Sequence, residues 1–86
     1  MPFSVYVLHS KSFDKIYIGF SSDLDARLMA HNSLATKGWT IKFRPWTLIH
    51  TEEFNTKAEA IKREKELKSA KGREFIRKNI LKHSTL

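Results

Sequence analysis

Two tyrosines, an arginine, a histidine and a glutamate are the side chains in this 86-residue sequence whose types and spacing could act together chemically. Tyr6 and Tyr17 sit in segments rich in β-branched and aromatic residues, and Gly19 follows Tyr17 by two. Side chains alternate along a strand, so Tyr6 and Leu8 share a face, as do Tyr17 and Gly19. If Ser10 lies opposite Lys15, all four fall on one side of a hairpin; a one-residue slip would separate the tyrosines. Glycine weakens a strand unless a bulge or a close backbone approach requires it. Buried tyrosines are commonly amphipathic core residues, so the pair alone does not establish a site.

Asp23, Arg27 and His31 follow at i, i+4 and i+8. On a helix they form one polar stripe opposite Leu24 and Leu28. Such a stripe is often a solvated face with an ion pair; an Arg beside a His also suits a phosphate, whose oxygens guanidinium binds bidentately. Glu64 is the more unusual residue. Positions 60, 64 and 67 stack on one helical face, which places this carboxylate between Ala60 and Leu67. A carboxylate seldom sits there unless it is paired or holds a metal. Arg63, Lys68 and Arg27 are the candidate partners; the alternative is a hard-cation ligand facing the sheet. Glu59 and Glu66 point elsewhere. His9, His31, His50 and His83 have no metal-ligand spacing, and with no cysteine present, disulfides, thiol catalysis and Cys-ligated zinc are excluded.

The elements that must position these residues are short. Phe3–His9 and residues 16–20 read as strands joined by a tight turn. Ser22 is a candidate N-cap for a helix reaching about Asn32. Residues 33–45, with Gly38 and Pro45, read as loop, and residues 46–54 as a third strand. Thr56 and Glu59 form the Thr-x-x-Glu capping box of a helix reaching about Ala70. Lys71-Gly72 reads as a break before a last helix over residues 73–82. The order β-β-α-β-α-α implies an α+β fold, a three-stranded antiparallel sheet flanked by helices, in a single domain over residues 1–86.

Charge is distributed unevenly. The chain carries 16 basic and 9 acidic groups, a net charge of +7. Residues 1–56 hold six basic and five acidic groups, and residues 57–86 hold ten and four. The positive field therefore comes from the last third, which suits a polyanion such as nucleic acid, or else a solvated helix face. No apolar run is long enough to span a membrane, and the N-terminus lacks the features of a secretory signal, so the expected location is the cytoplasm with no membrane partner.

With Tyr6 in Val5-Tyr6-Val7, then Tyr17-Ile18-Gly19 ten residues after Val7, Arg27 and His31 on a helix, and Glu64 in Ala60-x-x-x-Glu64-x-x-Leu67-Lys68, the chain resembles the GIY-YIG nuclease family in its small single-domain bacterial form. The resemblance covers roughly residues 2–82. Ser4-Val5-Tyr6 stands where the family writes Gly-Ile-Tyr. The resemblance implies metal-dependent hydrolysis of DNA phosphodiesters. Glu64 resembles the family's metal-ligating carboxylate, for Mg²⁺ or Mn²⁺, and Arg27 the arginine that holds the scissile phosphate. Tyr6 and Tyr17 resemble the pair that orients and deprotonates the attacking water. His31 matches a position often filled by His or Tyr. Asn79 is the nearest candidate for an asparagine that many members carry near the C-terminal end.

Further DNA contacts are expected from Lys15, from the aromatic-basic segment with Lys37, Lys42 and Arg44, and from Lys71 and Arg73 at the helix break. The expected substrate is DNA cut with structure-directed or weak sequence specificity, in repair or recombination, by a monomer or weak homodimer without a small-molecule cofactor. The rival readings are a non-catalytic nucleic-acid-binding module on the same fold and a structural domain for protein contacts.

Overall fold

Runs of β-branched and aromatic residues place Phe3–Ser10 (β1) and Lys15–Ser21 (β2) in extended backbone in the computed structural model, which describes residues 2–34 and 38–81. The two strands are antiparallel, with Ser10 opposite Lys15, Leu8 opposite Tyr17 and Tyr6 opposite Gly19. That is the register that keeps both tyrosines on one side. Thr47–Phe54 (β3) pairs antiparallel with the other edge of β1, giving the strand order β2-β1-β3. Val7 faces His50 and Leu8 faces Leu48, so Ile49 is the extra residue of a bulge. Trp46, expected inside this strand, lies just before it, and Arg44–Pro45 is a cis peptide.

β1 is covered on both faces. Val5, Val7, Ile16 and Ile18 meet Ala60, Leu67 and Ile76 on one side. Tyr6 and Leu8 meet Trp46 on the other, with Tyr17, Leu24, Leu28 and Phe43 at its margin. The α+β fold and the order β-β-α-β-α-α agree with the sequence reading.

The helices depart from it at their ends. Leu24–Met29 (α1) is capped by Asp23, whose carboxylate accepts from Ala26 N at 3.1 Å, and not by Ser22. Past Met29 the chain widens into a π-helical turn, Ala30–Leu34. The expected loop contains a 3₁₀ helix, Trp39–Phe43. Lys57–Lys68 (α2) starts at the capping box: Thr56 Oγ1 accepts from Glu59 N at 3.2 Å, and Glu59 Oε1 from Thr56 N at 3.3 Å. Arg63 ties α2 to β3 through two bonds to Glu52, at 2.8 and 3.1 Å.

The break before Ala70–Phe75 (α3) falls at Ser69, not at Lys71-Gly72. Ser69 Oγ accepts from Gly72 N at 3.1 Å and caps α3. Gly72 sits inside α3, where an added Cβ would collide with the backbone of Glu66 and Leu67, so glycine here serves the close approach of two helices. α3 runs on into a second π-helical turn, Ile76–Leu81. Among the described residues no helix is long and apolar enough to cross a membrane.

Candidate active site

Gly19 and Tyr6 face each other across β1 and β2, and their sizes are matched. A Cβ on Gly19 would come within 2.6 Å of Tyr6 Oη and 2.8 Å of its Cζ. The missing side chain is thus the space that the phenol fills. Beside this contact lies a concavity of ≈ 360 Å³ whose lining includes Tyr6, Tyr17, Gly19, Arg27, Lys57 and Glu64. Phe3 and Phe20, which pack on the opposite face of the sheet, line it as well. It therefore wraps the free edge of β2 and draws on both faces. Glu64 reaches it from α2, on the Val5–Ile18 side, while the tyrosines come from the Trp46 side.

Tyr6 is buried (2% exposed), and its hydroxyl lies 3.2 Å from His31 Nε2. Burial pushes its pKa up to about 12; Tyr17 and Glu64 act in the same sense and Arg27 opposes them. Tyr6 is therefore a proton holder near neutral pH. Tyr17 is only half-buried, and its ring centroid lies 6.2 Å from that of Tyr6 and 4.6 Å from that of His31.

His31 does not line the concavity. The π-helical turn breaks the 3.6-residue period, so the polar stripe ends and His31 turns inward beneath the tyrosines. Its Nδ1 lies 3.1 Å from Thr40 Oγ1, opposite the Tyr6 contact. A neutral imidazole donates from one nitrogen and accepts at the other, and each hydroxyl can take either role, so the two together hold the neutral ring. Arg44 secures the turn by donating to the carbonyls of Ala30 and His31, and Asn32 by exchanging bonds with the Trp46 backbone at 2.6 and 3.0 Å.

Burial holds the His31 pKa below its ordinary 6.5, and the cations Arg27 and Arg44 act the same way. A folded-state pKa below the unfolded value means that the unfolded chain binds the proton more readily. The stability contributed by neutral His31 is complete above pH 6.5 and declines as pH falls from there toward the lowered pKa. Urea unfolding between pH 7.5 and 5 should show this loss, and His31→Gln should lose less over the same range. Equal losses in both proteins would assign the acid sensitivity to other groups.

Arg27 is exposed and lines the concavity with Lys57 and Glu64. Asp23 is the helix cap, its carboxylate accepting from Ala26 N. The Glu64 side chain is 16% exposed, against 51% for Glu66, in agreement with its place in the apolar stripe. Of its three candidate partners, Arg63 goes to Glu52 and Glu66, and Lys68 Nζ lies 3.4 Å from Glu64 Oε2. No group of three or more acidic or histidine side chains that could hold a metal occurs among the described residues. Glu64 is the one carboxylate in the lining of the concavity, which fits a hard cation that keeps most of its waters and does not fit zinc. Lys57 is the basic residue that the sequence reading missed. It lies seven residues before Glu64, two turns along the same helical face, and that spacing was the available signal.

The other expected contacts are dispersed. Lys15 Nζ lies 5.6 Å from the centroid of Phe43, and Lys42 is exposed on the 3₁₀ helix. Arg44 contributes to the support of the π-helical turn, and Lys37 lies outside the described residues. Lys71 lines a separate concavity of ≈ 530 Å³ between α2 and α3, and exposed Arg73 donates from Nε to the Lys68 carbonyl at 3.2 Å. Asn79 is exposed, donates to the Phe75 carbonyl at 3.3 Å and is not part of the ≈ 360 Å³ concavity.

The model of the GIY-YIG catalytic domain matches residues 2–79. A UPF0213 protein of Staphylococcus saprophyticus is 35% identical over 65 residues, 76% of this chain and 78% of that protein. A UPF0213 protein of Staphylococcus aureus is 37% identical over the same shares. The solution NMR structure of a UPF0213 protein from Bacillus halodurans aligns over 100% of both chains with a TM-score of 0.56 and 29% identity.

Proposed function

The chain belongs to the GIY-YIG catalytic-domain family, and on that premise we propose that it is a metal-dependent endonuclease that hydrolyses DNA phosphodiesters. The observation that carries this reading is that Tyr6, Tyr17, Arg27 and Glu64, drawn from four elements on two faces of the sheet, line one concavity.

Each residue has a role suited to its surroundings. Arg27 binds a phosphoryl oxygen at the rim, where its fork is accessible and the charge it neutralises grows during the reaction. Lys57, in the same lining, adds a second positive charge for the strand. Tyr6 keeps its proton up to about pH 12 and so orients rather than ionises. Tyr17, less buried and in the same lining, is the phenol whose Oη accepts a hydrogen bond from the attacking water and aligns it. Thr40 and His31 hold Tyr6 in place from behind. Glu64 would hold Mg²⁺ or Mn²⁺, which when bound supplies Lewis-acid neutralisation of the phosphoryl group and lowers the pKa of water.

The Lys68–Glu64 pair favours the non-catalytic alternative, a nucleic-acid-binding module on this fold. A supercoiled plasmid separates the two. The expected result is conversion to the open circle with Mg²⁺ or Mn²⁺ and none in chelator. Absence of cleavage on supercoiled, single-stranded and branched DNA with either metal would leave the binding module.

A further inference from the structure

Trp39 and Phe13 are about half exposed, at 48% and 51%, and they flank the same ring. Phe13, in the turn between β1 and β2, meets Phe43 edge-on at 5.3 Å between centroids, and Trp39 meets it at 4.6 Å. Single aromatic side chains on a surface are ordinary; three in mutual succession, from two separate segments, form a patch. Cations accompany it: Lys15 Nζ stands over the Phe43 ring, and exposed Lys42 precedes Phe43 in the chain. A chain of ring contacts through the core links the patch to Tyr17 of the candidate active site. The Trp39 ring lies 5.8 Å from buried Trp46, whose ring lies 6.4 Å from that of Tyr17.

Rings beside ammonium groups match a ligand that presents flat π-faces and negative charge together. Duplex DNA presents its phosphates but keeps its base faces stacked inside, whereas an unpaired strand presents both. We propose that Trp39, Phe43 and Phe13, with Lys15 and Lys42, form a platform on which an unpaired base near the cleaved phosphate stacks, so that the DNA substrate contains single-stranded nucleotides. This rests on the nuclease reading for its DNA and adds the substrate class. Every base has a π-face, so the platform tolerates sequence while it selects for unpaired structure.

The test is binding of three labelled oligonucleotides of equal length in chelator: single-stranded oligothymidine, the same strand with abasic sugars, and a duplex. Wild-type protein should bind oligothymidine the most tightly. Trp39→Ala should weaken that binding by about 5- to 100-fold, from one lost base stack. Its binding to the abasic strand, held by phosphate contacts alone, should change by less than about twofold. Trp39 also packs against Trp46, so Phe13→Ala, at an exposed turn, provides a second variant, with a loss in the same direction. Trp39→Phe should recover part of the lost affinity. An equal loss on both strands, or no loss in either variant, overturns the platform. Cleavage does not occur in chelator, so this outcome is independent of the plasmid assay that decides the nuclease reading.

Discussion

Glu64→Gln is expected to bring metal-dependent nicking below detection while leaving DNA binding in chelator and thermal stability nearly unchanged. Glutamine keeps the volume of the side chain and one carbonyl oxygen but has no charge to offer a divalent cation. A cation held by a single protein carboxylate has no second one to fall back on, and among the described residues no acidic cluster stands nearby to substitute. The structural cost is small by comparison. The contact removed is an i, i+4 pair at 3.4 Å with a lysine that is 46% exposed, the kind that contributes about 0.3–0.5 kcal/mol. Binding should hold, because removing a negative charge from a lining that also carries Arg27 and Lys57 does not weaken its attraction for phosphate. Loss of activity with a shifted melting temperature would point to a structural role. Full nicking by the variant would return Glu64 to its pair with Lys68 and exclude it as the ligand.

What the sequence makes legible here follows from local rules. Alternation along a strand puts Tyr6, Leu8, Tyr17 and Gly19 together once Ser10 is set opposite Lys15, and the backbone adopts that register. The Thr56–Glu59 capping box is spelled within four residues and forms as spelled. The Glu64 anomaly is legible because a 3.6-residue period is an arithmetic property of α2. That same period misleads at His31. Beyond Met29 the chain leaves the α-helical pitch, and the contacts that hold it there come from Arg44, Asn32 and Thr40 folding back, which no local pattern announces. The break at Ser69 is hidden by Gly72, which looks like punctuation and instead admits the Leu67 backbone. That the concavity wraps an edge of the sheet lies beyond sequence reasoning for a different reason. It uses both faces of the sheet around the edge of β2, and alternation sorts residues to one face or the other without saying where an edge lets them meet.

Arg27→Ala is expected to lower the cleavage rate at saturating DNA by about 10²–10³-fold, the usual cost of one preorganised donor to a developing anion. Two features of its position make the effect large in rate and small in stability. Arg27 is exposed, so its removal leaves no hole in the core, and the capping bond of α1 comes from Asp23 and remains. It also lines the concavity that contains Tyr17 and Glu64, so the charge it neutralises would be that of the reacting phosphate rather than of a remote one. Arg27→Lys separates charge from shape. A lysine restores the positive field but not the two parallel N–H donors, so the rate should recover only in part. Affinity provides the contrast. Loss of one phosphate contact changes the slope of log K against log salt by about 0.9, whatever the site of that contact. If Arg27→Ala changed the salt slope by that amount and raised KM while kcat stayed at the wild-type value, Arg27 would be an ordinary phosphate contact. The role assigned to it requires that the loss appear in kcat, because a donor aimed at charge that grows in the transition state contributes most where that charge is greatest.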